Sequence, residues 1–493
     1  MIDSEPGLDP ADWSSLRSLG HRMLDDMIDY IADIRDRPVW QKMPDAARAA
    51  LREPLPAAPG DLAETYDRFR QEVLPYATGN VHPRFMGWVH GGGSAVGMLA
   101  EMLAAGLNAN LGGRDHAPIE VERQVIRWAA EMLGFPEEAS GLLVTGTSYA
   151  NLIAVLVARS ARLGTASRRE GLNGARLTAY ASAAVHRCIP GALDMGGIGS
   201  DHLRLIPCDA QHRMDLAALA AAVAADRAAG FTPFLVAGTA GTVDVGAMDD
   251  LDGIARFCRA EDLWFHVDGA FGALTLLSPT LRHLVAGIEQ ADSVAFDFHK
   301  WAQVPYDAGC IMVRDGDRQL AAFASPASYL RKSARGLAGG APWPCDLGPD
   351  LSRGFRALKV WMSLQVYGAD RIGASITHAC LLARALEARV ADEAELELLA
   401  PVALNIVCFR YRATGGDLNR LNADIAADLQ EAGIAAPSTT EIGGKVAIRA
   451  AIVNHRTRHE DIEALADAVL AAGRRRAGLN SAANPADTGI TAR

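Results

Sequence analysis

A lysine stands where an apolar strand ends. The run ADSVAFDFHKW, residues 291–301, reads as a strand as far as Asp297, and His299 and Lys300 follow at once. The carboxyl ends of strands are where α/β sheets gather their catalytic groups. Between Phe298 and Trp301 an amine is partly desolvated, which favours the neutral form that condenses with a carbonyl to make a Schiff base. The plainer reading is a solvated loop lysine. Lysine is scarce here, which narrows the choice: of 48 basic residues only Lys42, Lys300, Lys332, Lys359 and Lys445 are lysines. Upstream, LWFHVDGAFGAL (263–274) closes another apolar run on Asp268, with the small residues Gly269 and Ala270 behind it. A carboxylate facing a space kept open for a flat ligand can hold a pyridinium nitrogen protonated and strengthen an electron sink. Read alone, it is equally an N-cap or a satisfied core aspartate.

Three further segments have the right types. LLVTGTSYANLIAVLVAR (142–159) reads strand, small polar turn, helix, so that Gly146, Thr147 and Ser148 present backbone N–H groups and hydroxyls at a helix N-terminus, a phosphate site that needs no lysine. The same pattern is also ordinary capping. AGTVDVGAMD (240–249) places Thr242 just after another strand, and AVHRCIPGALDMGG (184–197) places His186 before a helix.

These pieces need a scaffold. Six strand-like runs, GLLV (141–144), LTAYAS (177–182), FLVAGT (234–239), LWFHVD (263–268), SVAFD (293–297) and CIMVR (310–314), are separated mainly by helical stretches. Unbroken apolar strands require burial on both faces, so the expected fold is α/β with a mostly parallel sheet covered by helices. Apolar positions at helical spacing predict an N-terminal amphipathic helix over about 12–37, and a second helix over about 61–74. A helix from about 352 to 368 leads into a long connecting helix through Leu386. Strand, helix, strand, helix over about 396–475 then make a small α/β domain. The expected organisation is an N-terminal helical dimerisation segment (1–80), a large domain (81–375), a small C-terminal domain (376–477) and a disordered tail (478–493).

Composition excludes other classes. With 493 residues, 49% hydrophobic and 22% charged, the chain is neither disordered nor fibrous. Its net charge of −11 is spread without a basic stripe, which argues against a nucleic-acid partner. Seven scattered cysteines show neither zinc spacing nor a disulfide framework, so reduced thiols in a cytoplasm and no metal are expected. The acidic N-terminus MIDSEPGLDPADW lacks a secretion signal, and no apolar run is long enough for a membrane span.

Taken together, HPRF (82–85), TGTSYAN (145–151), His186, TAGTVDVGAMD (239–249), HVDGAFG (266–272) and DFHKW (297–301) resemble the group II pyridoxal-phosphate-dependent amino-acid decarboxylases, from roughly residue 12 to 470. The resemblance implies a fold type I enzyme with a seven-stranded-type sheet, an obligate homodimer and pyridoxal 5'-phosphate as cofactor. It implies that Lys300 carries the cofactor as a Schiff base, His299 contacts the phosphate, and Asp268 pairs with the ring nitrogen. Ala270 packs against the ring and His186 stacks on its other face near the substrate carboxylate. Gly146, Thr147 and Ser148 hold the phosphate, Thr242 lies close to the ring, and Trp88 and His90 line the substrate pocket. The implied reaction converts an L-amino acid to its amine with loss of carbon dioxide.

Two positions depart from the family pattern. Thr242 is followed by Val243 where a second threonine is common. The catalytic loop, expected over about 328–349, normally offers a tyrosine that reprotonates Cα, and Leu347 stands where it would align. Leucine donates no proton, so Tyr329, His90 or a water takes that step, or the electron-rich state survives to react with oxygen and yields an aldehyde. Trp88 favours an aromatic substrate, whereas Asn108, Asn110, Arg114, Asp115 and His116 form a polar segment. A protein that binds the cofactor without turnover, and an aminotransferase, are the competing readings.

Overall fold

The structure, a computed structural model, describes residues 7–324, 333 and 335–482. Its strands are β1 (Phe85–Met86), β2 (Ser140–Val144), β3 (Leu177–Ser182), β4 (Leu203–Ile206), β5 (Thr232–Thr239), β6 (Trp264–Asp268), β7 (Ser293–Asp297), β8 (Gly309–Val313), β9 (Leu396–Leu398), β10 (Ile406–Tyr411), β11 (Ala436–Ile442) and β12 (Lys445–Ala451). The large sheet has seven strands in the order β2-β8-β7-β6-β5-β3-β4. All six runs expected from sequence are in it. The seventh, β4, is an edge strand whose sequence LRLI leaves Arg204 and Leu205 outside the core, so it lacks the unbroken apolar run that marks its neighbours.

Six strands run parallel, while β8 is antiparallel to both β2 and β7. The cause is the connection 298–308, which is too short for the helical crossover that a parallel pair requires. That same connection carries Lys300. Helices cover both faces of the sheet, and β2, β3, β5, β6, β7 and β8 supply much of the buried core. Near the site the backbones touch: a side chain at Gly309 would come within 2.4 Å of the Gly146 Cα, so β8 passes against the turn that follows β2 only because Gly309 has no Cβ.

The smaller sheet has the order β1-β11-β12-β10-β9. Sequence periodicity indicated β10 and β12. It passed over β11, whose APSTTEI is polar, and over β9 and β1, which are too short to show a period. Although β1 precedes the large sheet in sequence, it pairs in parallel with β11, Phe85 against Ala436. The helix Arg356–Asp392 joins the two sheets and bends at Gly368, whose φ of 71° breaks the helical run. The N-terminal helix, Trp13–Ala32, is capped by Asp12, and none of its residues is buried. Leu16, Leu19, Met23, Leu24, Met27 and Ile31 are half-buried and Trp13 and Ile28 exposed, so the expected apolar face is present and only partly covered within one chain. The last helix, His459–Ala482, extends into the segment expected as a tail, and residues 483–493 lie outside the described residues.

Candidate active site

Parallel strands end on one edge, and the turns after β2, β3, β5, β6 and β7 converge there around a cavity of about 580 Å³. Its walls include Trp88, His90, Gly146, Thr147, Ser148, His186, Asp268, Ala270, His299 and Lys300, gathered from segments far apart in sequence. Thr239, Val243, Asp297 and Tyr306 line it too.

Lys300 reaches the cavity from the turn after β7, its Nζ 3.1 Å from Asp297 Oδ2. The other oxygen of Asp297, Oδ1, accepts the Thr147 N–H at 2.7 Å. A single buried carboxylate thus ties the amine to the first residue of the helix Thr147–Leu163. His299 lies alongside, Nε2 3.6 Å from Asp297 Oδ2, and its Nδ1 accepts the Ala308 N–H at 3.0 Å. Burial lowers the His299 pKa, favouring a neutral ring whose proton sits on Nε2. Its ring packs 4.2 Å from that of Tyr306.

Asp268 ends β6 in register with Thr239 of β5 and Ala295 of β7. It is buried, and it accepts from Asn151 Nδ2 at 3.3 Å, from Cys188 Sγ at 3.5 Å and from the Ala270 N–H at 3.3 Å. Nδ1 of His186 accepts the Cys188 N–H at 3.3 Å. Burial lowers the His186 pKa against the pull of Asp268. Burial and the charge of Lys300 lower that of His90 in the same direction.

A phosphorylated pyridine aldehyde fits these residues. Gly146 caps its helix without any side-chain hydrogen bond, and the hydroxyls of Thr147 and Thr239 are buried with no partner in the protein. Buried hydroxyls left unpaired beside a helix N-terminus suit an anionic group. Across the cavity stand a carboxylate for a ring nitrogen and an amine for a carbonyl carbon.

Thr242 is placed differently from the other expected residues. Its hydroxyl accepts the Ala247 N–H at 2.9 Å within its own turn, and it does not line the cavity. Leu347 is also outside: it packs on the cluster that contains Leu142 and Ile153, and its carbonyl accepts from Gln319 Nε2 at 2.8 Å. Tyr329 lies outside the described residues.

Several residues had no sequence signal of their own. Asp297 was visible only as the end of a strand, and Asn151 and His266 only as letters within motifs. Arg449 of β12, buried, donates to the carbonyls of Val243 and Asp244 and to that of Gly87, fastening two walls of the cavity to the small sheet.

Comparison with known proteins decides the family. The model of the pyridoxal-dependent decarboxylase conserved domain matches residues 44–412. The chain belongs to the pyridoxal-dependent decarboxylase family. It is therefore a pyridoxal-phosphate-dependent amino-acid decarboxylase, a carboxy-lyase, as its motifs led us to expect. The decarboxylase is 34% identical to the aromatic-L-amino-acid decarboxylase of Bacillus atrophaeus, with 91% of this chain and 93% of that protein covered. It is 30% identical to the phenylacetaldehyde synthase of Arabidopsis thaliana, covering 90% of this chain and 93% of that one. Among solved structures, the TDC of Oryza sativa with PLP and tryptamine superimposes with a TM-score of 0.87 at 26% identity, over 95% of this chain and 100% of that one.

Proposed function

We propose that this decarboxylase converts an aromatic L-amino acid to its amine, with Lys300, Asp268 and His186 as the catalytic residues. The observation that carries the reading is their meeting in one cavity whose wall includes Trp88. The bound cofactor supplies the electron sink into which the Cα–carboxylate bonding electrons flow as carbon dioxide leaves. Lys300 would hold the cofactor through its carbonyl carbon and would be the group that returns there after turnover. Asp268 accepts the ring N–H and keeps that nitrogen protonated. His186 would stack on the ring near the substrate carboxylate, and Ala270 would pack against its other face. Gly146, Thr147, Ser148 and His299 bind the phosphate, and Trp88 and His90 bound the space for the substrate side chain. A proton must then reach Cα. His90 lines the cavity, but its lowered pKa keeps the ring neutral and a poor acid, which favours water or Tyr329 as the source.

A mass-spectrometric product screen over a panel of amino acids tests this, with carbon dioxide, amine, aldehyde and hydrogen peroxide measured together. Amine and carbon dioxide from tryptophan, tyrosine or phenylalanine support it, and absence of carbon dioxide from every substrate overturns it in favour of cofactor binding without turnover. Lys300→Ala should remove the visible absorbance of bound cofactor. A second reading, aldehyde formation by decarboxylation coupled to oxidation, draws on the likeness to the Arabidopsis synthase and on Leu347. Aldehyde and peroxide in equal amounts support it.

The partly covered apolar face of Trp13–Ala32, with Trp13 and Ile28 exposed, supports a homodimer in which this helix packs on the partner. Seven free cysteines support a cytoplasmic location. Among the described residues no helix is long and apolar enough to cross a membrane.

A further inference from the structure

Behind Asp268 lies a line of buried polar groups that the reaction as described does not use. The Trp264 Nε1–H donates to Ser293 Oγ at 2.8 Å. Ser293 Oγ is in turn 2.8 Å from His266 Nδ1. His266 Nε2 is 2.8 Å from Asn151 Oδ1, and Asn151 Nδ2 donates to Asp268 Oδ2 at 3.3 Å. Asn151, His266 and Ser293 are fully buried and Trp264 and Asp268 nearly so. The carboxylate of Asp268 can only accept, so the Asn151 NH2 faces it and the Asn151 Oδ1 faces His266. The ring proton then sits on Nε2 and is given to the Asn151 carbonyl, which leaves Nδ1 to accept the Ser293 O–H. The indole, a donor only, occupies a lone pair of Ser293, and the donations run in one direction from indole to carboxylate.

We propose that Trp264, Ser293, His266 and Asn151 form a positioning relay that presents Asp268 to the cofactor's ring nitrogen as a fixed, hydrogen-bonded carboxylate. The inference rests on the proposed role of Asp268. Its physical content is preorganisation: without the Asn151 amide, Asp268 would keep only its contacts to Cys188 Sγ and the Ala270 N–H and would pair with a ring nitrogen in more than one geometry. The relay holds Oδ2 from behind while the carboxylate fronts the cavity. A neutral His266 completes the line, since an imidazolium would point its Nδ1–H at Ser293 and make the serine hydroxyl turn its proton away. Burial keeps it so, lowering its pKa to about 4.

The test uses the full-length holoenzyme. In wild-type protein labelled with 15N at histidine, assigned by comparison with the His266→Gln variant, His266 should show the neutral Nε2–H tautomer from pH 5.5 to 9. The Nδ1–H tautomer, or protonation above pH 6, overturns the relay whatever any variant does. His266→Gln can still donate to Asn151 and His266→Phe cannot. His266→Phe should weaken cofactor binding at least tenfold, lower kcat ten- to a hundredfold with KM within twofold, and move the pH profile of the bound cofactor's visible band by about one unit. His266→Gln should recover most of each. Equal losses in the two variants, or wild-type behaviour of His266→Phe, overturn the proposal. If instead Lys300→Ala leaves the visible band intact, the reading of the site itself fails, which separates the two cases.

Discussion

Asp297 holds Lys300 at 3.1 Å with one oxygen and the Thr147 N–H at 2.7 Å with the other, so the amine and the helix proposed to bind the phosphate share a single anchor. Charge-assisted hydrogen bonds of this kind are worth about 1.5–3 kcal/mol each. Asp297→Ala strips both partners at once and should raise the apparent Kd for pyridoxal 5'-phosphate by roughly ten- to a hundredfold, read from the absorbance titration. Asp297→Asn, which keeps an acceptor for Thr147, should lose less.

A second carboxylate serves stability alone. Glu122 and Arg353 are a buried ion pair: Arg353 also donates to the carbonyls of Leu111 and Leu143, and Glu122 Oε1 accepts the Leu143 N–H at 3.1 Å. Together they fix β2 to the helix Ala117–Leu133. Removing one partner leaves a bare buried charge, and Glu122→Ala should cost about 3–5 kcal/mol, seen as a lower denaturant midpoint. Replacing both, Glu122→Leu with Arg353→Met, should recover much of it.

Acid should weaken the fold. Burial holds His82 and His266 at about 4, so both are neutral when folded and take up protons on unfolding. Between pH 6.5 and 4 the unfolded chain binds more protons at these sites, and stability falls as pH drops through that window, by roughly 3 kcal/mol for each histidine. Asp249 acts in the opposite sense: burial pushes it up to about 6, so the folded chain takes up its proton first and gains stability as pH falls below that value. For these three groups the balance is about one proton, and the urea midpoint should decline steadily from pH 6 to 4. Asp249→Asn should steepen the decline toward two protons.

Trp88 is exposed at the cavity mouth, its ring 5.9 Å from that of His90 and 6.3 Å from that of Phe85. An aromatic substrate stacked on it gains about 0.5–1.5 kcal/mol beyond area burial. Trp88→Ala should therefore raise KM for aromatic amino acids two- to tenfold and change kcat little. A comparable rise for small aliphatic substrates would remove Trp88 from specificity.

What was legible in the chain followed from local rules. Lys300, Asp268, Gly146 and His186 stand just past apolar strands or before helices, and period and breaker residues locate such places without knowledge of the rest of the fold. Asp297, Asn151 and His266 were not legible as functional, because each matters through a partner on a different segment. Asn151 is one polar residue just ahead of the apolar stretch 152–158 of its helix, and only the packing of that helix against β6 gives it meaning. Thr242 shows the converse: proximity in sequence to a site does not aim a side chain, and the turn's own hydrogen bonding turned it away. In the fold, β4 and β11 were hidden because polar residues on exposed faces erase the apolar run that reveals a strand.

The pairing of β1 with β11 bears on how the molecule is made. Residues 85–86 leave the ribosome well before 436–437, and Trp88 follows directly on the earlier pair. The large sheet, β2 to β8, is translated in between and can assemble as it emerges. The wall that bears Trp88 has no strand to lean on until the small sheet arrives. A nascent chain arrested before β11 would therefore carry Lys300 and Asp268 in a formed sheet and still lack a finished pocket, so competence for substrate waits on the small sheet.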